Sequence, residues 1–353
     1  MTAQLQELRV SNDAMNNPLE LRRRIQDEGY VFFKKLQDPD KLSDLRRQML
    51  SVIQEGGWLV AGTDPMDAIT DISRQCTEGD SMYTDVYHEV YKLEAFHRSA
   101  HWPEVLDMMA KVIGRPVLPH TQKITRIWFP KYTEHTTPVH QDFVHFQGNF
   151  DTYTCWAPVG GCPIELGGLA VLPGSHKVNK VLDHHFSLGA GGLRLDTDAL
   201  NGQWYTTNYE IGDALIFLAL TVHKALPNLT EDRLRVSLDN RYQAIGDPIA
   251  EHMLVPHLNA LSELRWDDVY RDWQSDDLKY YWKNLDTPVV PRDFSYSNQG
   301  FSEALTLAQN GDEQALLHLT RVVKRDPETD MAKAAMEVLP SLKIVEAGAS
   351  ASK

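Results

Sequence analysis

The chain has 353 residues, 42% of them hydrophobic and 24% charged, an ordinary globular composition with enough apolar material for a sizeable core. Its formal net charge is −14, from 49 Asp and Glu against 35 Lys and Arg, and this sign repels phosphate backbones and anionic lipid headgroups. Nucleic acid and membrane surfaces are therefore excluded as expected partners, and a small-molecule ligand is the alternative.

The opening MTAQLQELRVSNDAMNN has neither the basic-then-apolar order of a signal peptide nor the Arg-rich character of a transit peptide. The longest strongly apolar run, ALIFLAL at 214–220, is far short of the roughly 20 residues that span a bilayer as a helix. Cys76, Cys155 and Cys162 form no Cys-x-x-Cys pair and are odd in number, which fits reduced structural thiols. The expected location is the cytoplasm.

In chain order, LELRRRIQDEGYVFF carries apolar positions at helical spacing that end near Gly29, and DPDKLSDLRRQMLSVIQ begins with capping residues and continues amphipathically. PEVLDMMAKVIG, at 103–114, is a short helix opened by Pro and closed by Gly. From Pro116 the texture changes to short β-branched and aromatic runs. KITRIWF, FDTYTCWAPV, GGLAVLP, QWYTTNYEI, DALIFLAL and RLRVSLDNRYQ, separated by Gly, Pro, Asn and Asp, read as a sandwich or barrel of antiparallel strands. Beyond about residue 246 the chain is mixed. Trp266, Tyr270 and Trp273 recur at helical spacing and predict an aromatic helix face packed on the barrel. Residues 302–343 read as helical, and EAGASASK reads as a disordered tail.

The chemistry starts at TPVHQDFVHFQG. In a strand, alternate side chains share a face, so His140 and Asp142 project together, and this is the only His-x-Asp among 14 histidines. A second segment, GDALIFLALTVHKALPNLTEDRLRVSLDNRY, runs an apolar strand into His223 and then carries Arg235-x-Ser237. Two histidines and one carboxylate make the facial triad of non-haem iron oxygenases, which leaves coordination positions for a chelating cosubstrate and dioxygen. Arg235 and Ser237 share a strand face, where a guanidinium fork beside a hydroxyl suits the far carboxylate of 2-oxoglutarate.

At these residues the chain resembles the phytanoyl-CoA dioxygenase-like branch of the Fe(II)/2-oxoglutarate oxygenases. The resemblance runs through HQDF, TYTCWAPV, ELGGLAVLPGSHK, GDALIF, and His223 followed by PN and Arg-x-Ser, and covers roughly residues 116–243. It implies a mainly β fold with flanking α, a double-stranded β-helix (jelly-roll, cupin-like) barrel. It also implies that His140, Asp142 and His223 bind Fe(II), that Arg235 with Ser237 anchors 2-oxoglutarate, and that O2 is the co-reactant, with succinate and carbon dioxide formed beside the oxidised substrate. Asp142 stands where related halogenases carry a small residue, so hydroxylation or another oxidation is expected. The expected organisation is one domain: a helical part at 1–115, the catalytic core at 116–245, a mixed or helical extension at 246–345 and a tail at 346–353.

Other residues carry weaker signals. His135 and His145 lie five positions from His140, which in a strand puts them on the opposite face; His176, His184 and His185 read as structural or surface. Arg233 shares parity with Arg235 and competes for the cosubstrate role, with Ser237 favouring Arg235. Lys123, Arg126 and Trp156 are candidate substrate contacts, of which Lys123 and Arg126 lie on opposite faces of KITRIWF. Two rival functions keep the barrel. One is a Zn- or Mn-dependent isomerase or lyase, which has no use for Arg235-x-Ser237; the other is a binding module without catalysis, which leaves the triad unexplained.

Overall fold

Residues 5–349, apart from 79, 132, 134, 198 and 199, are described by the structure, a computed structural model. Its centre is the ten-residue strand Arg235–Ala244, which pairs antiparallel with Tyr153–Pro158 on one side and with Ile124–Trp128 and Val117–Pro119 on the other. Ala214–Leu218 adds beside Tyr153–Pro158, and Tyr30–Phe33 closes that edge. A second sheet faces this one. Leu169–Val171 lies between His223–Ala225 and Tyr205–Thr206, and Gln6–Glu7 runs parallel along Tyr205–Thr206. The hydrogen bonding does not close around the two sheets. This is the jelly-roll arrangement expected from the strand runs, flanked by helices.

Strand alternation assigns the two faces of the larger sheet. Trp156, Leu215, Phe217, Tyr30 and Phe32 point toward Leu169 and Val171 and fill the space between the sheets. Their neighbours Cys155, Ala214, Ile216, Val31 and Phe33 point the other way, onto Leu21 and Ile25 of helix Pro18–Glu28 and Val105, Met108 and Met109 of helix Pro103–Ile113. The first of these helices is capped by the Asn17 side chain and stops at Gly29, whose φ is +83°. A Cβ at Gly29 would also sit 2.5 Å from His176 Nδ1, so this position requires glycine twice over.

Several expectations are corrected. The helix ends at Gly29 as its spacing predicts, but the N-terminal part is not only helical: YVFF after it is an edge strand of four fully buried residues, and with Gln6–Glu7 this part supplies strands to both sheets. Trp266–Val269 is a single helical turn, and Trp266, Tyr270 and Trp273 pack among Tyr91, Phe96 and His97 of the N-terminal helices as well as on the barrel side. Trp273 also donates its indole N–H to the Lys92 carbonyl at 2.9 Å. Helices Asn298–Gln309, Glu313–Arg325 and Asp330–Ala349 form a C-terminal bundle around Phe301, Leu319 and Val322. The last of them takes in the first part of the expected tail, and residues 350–353 lie outside the described residues.

Candidate functional site

His223 opens its strand directly after the buried Ala219–Val222 segment, and its backbone exchanges two hydrogen bonds with His140, at 3.0 and 3.1 Å. The pairing brings the ring centroids to 4.2 Å. Each imidazole is fixed by Nδ1 on a carbonyl two residues earlier, His140 on Pro138 at 2.8 Å and His223 on Thr221 at 2.9 Å. With Nδ1 as donor, the Nε2 lone pairs are left facing each other's neighbour, Asp142, one of whose oxygens is 3.3 Å from His140 Nε2 and 3.5 Å from His223 Nε2. One donor atom from each residue lies within 4.8 Å of the others, and all three residues are buried.

Asp142 reaches this position differently from the expectation. His140 makes only an isolated bridge to His223 rather than lying in a strand, and Asp142 precedes a helical turn, Phe143–Phe146, with its own backbone helical. Its second oxygen accepts from the Thr154 hydroxyl and lies 3.4 Å from the Arg241 guanidinium. Burial opposes the carboxylate, but the Arg241 charge and the two imidazoles outweigh it and hold Asp142 well below the usual carboxylate range. Burial also lowers His140, reinforced by His223 beside it, which favours the neutral ring a metal requires.

The triad opens on a cavity of about 360 Å³. Arg235 lines it, almost fully buried, with Nη1 donating to the Ser237 hydroxyl at 2.6 Å and the guanidinium 5.4 Å from the Trp128 ring and 6.0 Å from the Trp156 ring. Its Nε has no hydrogen-bond partner, and burial pulls the group down to about 10, still a cation at neutral pH. A buried guanidinium with a free edge beside a hydroxyl fits an absent carboxylate, and the His-Asp-His donor set fits a divalent iron. The competitor Arg233 is elsewhere, on the surface, donating to the Asp67 carbonyl.

Arg126 and Trp156 line the cavity, and Arg126 pairs with Glu78 and Asp239. Lys123, the other basic candidate on that run, does not. Its ammonium is buried against the His120 carbonyl at 2.8 Å and the Tyr281 hydroxyl at 3.0 Å, away from the cavity lining. His145 also departs from the opposite-face expectation: the helical turn swings its ring to 5.4 Å from His140 and into the cavity wall. His184 accepts from the Gln141 N–H at 3.3 Å, and His185 pairs with Glu303, both structural roles. His176 bonds the Gln26 carbonyl.

Arg241 and Thr154 were not anticipated. Arg241 shares strand parity with Arg235, Ser237 and Asp239, so the alternation itself points it inward. Thr154 shares parity with Trp156 on the neighbouring strand. All three cysteines are free and buried.

The chain is 28% identical over 250 residues to a 1-deoxypentalenic acid 11-beta-hydroxylase of Streptomyces arenae, covering 67% of this chain and 84% of that protein. The corresponding hydroxylase of Streptomyces exfoliatus is 27% identical over 253 residues, with the same coverage. Among solved structures, the epimerase SnoN in complex with Fe3+, alpha ketoglutarate and nogalamycin RO is similar at 17% identity and TM-score 0.47, over 65% of this chain and 84% of that one. The model of the family described as Phytanoyl-CoA dioxygenase (PhyH) matches residues 25–236, more than half of the chain and a span that contains His140, Asp142, His223 and Arg235. The chain belongs to the phytanoyl-CoA dioxygenase family and is an Fe(II)- and 2-oxoglutarate-dependent oxygenase.

Proposed function

We propose that His140, Asp142 and His223 hold Fe(II), that Arg235 and Ser237 take the distal carboxylate of 2-oxoglutarate, and that the enzyme hydroxylates an unactivated carbon of a small metabolite. Bound together, iron and cosubstrate couple decarboxylation of 2-oxoglutarate to succinate and carbon dioxide with oxidation of the substrate by O2. The observation that carries this reading is the unpartnered Nε of buried Arg235 in the same cavity as the triad.

The remaining work falls to the chain. The carbonyls of Pro138 and Thr221 fix the tautomer of both imidazoles, and Thr154 and Arg241 hold the Asp142 carboxylate ionised and in one rotamer. Trp128 and Trp156 wall the Arg235 guanidinium from water, which strengthens its bond to a carboxylate. Ile124, Phe146, Leu169 and Ala190 give the cavity apolar surface for a metabolite skeleton. The net charge of −14 disfavours nucleic acid and anionic membrane as partners, no helix among the described residues is long and apolar enough to cross a membrane, and three free thiols favour the reducing cytoplasm.

The test is turnover with Fe(II), 2-oxoglutarate and a panel of small metabolites, following succinate against substrate oxidation. Succinate released in step with a hydroxylated product is the expected result. Substrate conversion without succinate, in protein loaded with Zn(II) or Mn(II), would instead favour the isomerase or lyase reading, for which Arg235 and Ser237 have no role.

A further inference from the structure

The cavity has a second wall that the triad and the cosubstrate anchor leave unused. Helix Glu313–Arg325 turns His318, Arg321, Val322 and Arg325 onto it, residues spaced so that they share one helix face, and Arg292 joins them from the preceding segment. Here the charges do not balance. Arg292 and Arg325 share one carboxylate, Asp326, at 3.2 and 2.6 Å. Arg321 pairs with none among the described residues, and its Nε is buried without a hydrogen-bond partner. Arg325 is about half exposed, so solvent screens much of its charge; Arg292 and Asp326 are mostly covered and neutralise each other. One uncompensated guanidinium, Arg321, is left facing the cavity in a chain whose net charge is −14.

A buried donor without an acceptor is costly, and native proteins leave few of them. The neighbouring wall is apolar: Val255, Leu258, Leu261 and Val322 line the same cavity. A positive fork beside this apolar part of the wall, in the cavity that the triad also lines, selects a molecule with an apolar portion and one planar anion. We infer that the substrate is an apolar monocarboxylic acid whose carboxylate is bound by Arg321, which orients the skeleton toward His140, Asp142 and His223. This rests on the oxygenase reading of the triad. Arg292, Arg321 and Arg325 all lie past residue 236, where the match to the family model ends. The C-terminal bundle thus acts as the specificity element, and Arg321 as a binding residue within it.

The experiment is calorimetric titration of the Fe(II)- and 2-oxoglutarate-loaded protein without oxygen, using decanoate, 1-decanol and decyl phosphate as probes. The visible band of the iron–cosubstrate chelate is recorded in the same samples. Decanoate should bind roughly tenfold or more tighter than 1-decanol, and Arg321→Met should bring it down to the alcohol's affinity with the chelate band unchanged. Equal binding of acid and alcohol, no binding of either, or an unaffected Arg321→Met variant would overturn the inference. Tighter binding of decyl phosphate than decanoate would overturn the carboxylate assignment in favour of a phosphate. Should Arg321→Met fail to fold, the acid-against-alcohol comparison on the wild-type protein decides alone. Absence of the chelate band would count against the oxygenase reading instead, so the two failures are distinguishable.

Discussion

His140 and His223 are joined by a reciprocal pair of backbone hydrogen bonds, and each imidazole is held by a carbonyl two residues before it. The two rings cannot separate without opening the strand pairing, so the site is set by the backbone before any ligand arrives. Asp142 is the only anionic member and comes from a different local structure, a helical turn. Asp142→Ala should therefore leave the fold and the ring pair in place while removing the charge. The expected result is a fall of more than about 100-fold in substrate-dependent succinate release. Near wild-type release in that variant would show that the triad is wrongly assigned.

Thr154 donates to the Asp142 oxygen that does not face the imidazoles. Thr154→Val keeps the shape of the side chain and removes only the hydroxyl. Its affinity for Fe(II), measured by competition with a chelator, should drop by roughly 10–100-fold, the usual effect of losing a bond that orients a metal ligand.

In the proposed site Arg235 takes the cosubstrate and not the metal, so its loss should be separable. In Arg235→Ala the KM for 2-oxoglutarate should rise by about 100-fold, with Fe(II) affinity little changed, because a desolvated charge pair has lost one partner. Arg233→Ala, a change at an exposed residue, should leave that KM within about twofold.

Acid sensitivity has an identifiable contributor in His97. Burial lowers this imidazole to about 3, assisted by the Lys123 charge, and it sits among Tyr91, Phe96, Trp266 and Trp273. An unfolded histidine titrates near 6.5, so between about pH 6.5 and 3 the unfolded chain holds a proton that the folded chain does not. Stability at this site is therefore lost as pH falls through that window. His97→Phe, which forfeits the bond to the Tyr91 carbonyl at every pH, should narrow its stability deficit in urea unfolding by about 2 kcal/mol at pH 5 relative to pH 7.5.

Strand alternation requires Arg235 and Ser237 to share a face, and they do. The same alternation places Arg241 on that face. His140, Asp142 and His223 do come together, but not by alternation along one strand: Asp142 arrives through a helical turn that the alternating pattern of TPVHQDFVHF does not signal, and that turn is also what carries His145 into the cavity. YVFF is not readable as a strand from sequence because four buried residues show no period of their own, and only pairing with Ala214–Leu218 makes them one. Lys123 was unreadable for a similar reason. Its partners, the His120 carbonyl and Tyr281, come together only in the fold. The face that presents His318, Arg321 and Arg325 was visible as a periodicity, but what it faces depends on how the C-terminal bundle docks.

The proposed site holds Fe(II) on His140, Asp142 and His223 and 2-oxoglutarate on Arg235 within one cavity. Its most direct measurement is an anaerobic titration of metal-free protein with Fe(II) and then 2-oxoglutarate, watching for the weak visible charge-transfer band of the chelate, with Arg235→Ala alongside. A band that saturates with one equivalent of iron in the wild type and needs roughly 100-fold more cosubstrate in the variant is the expected result. Tight metal binding with no band at any 2-oxoglutarate concentration would contradict it.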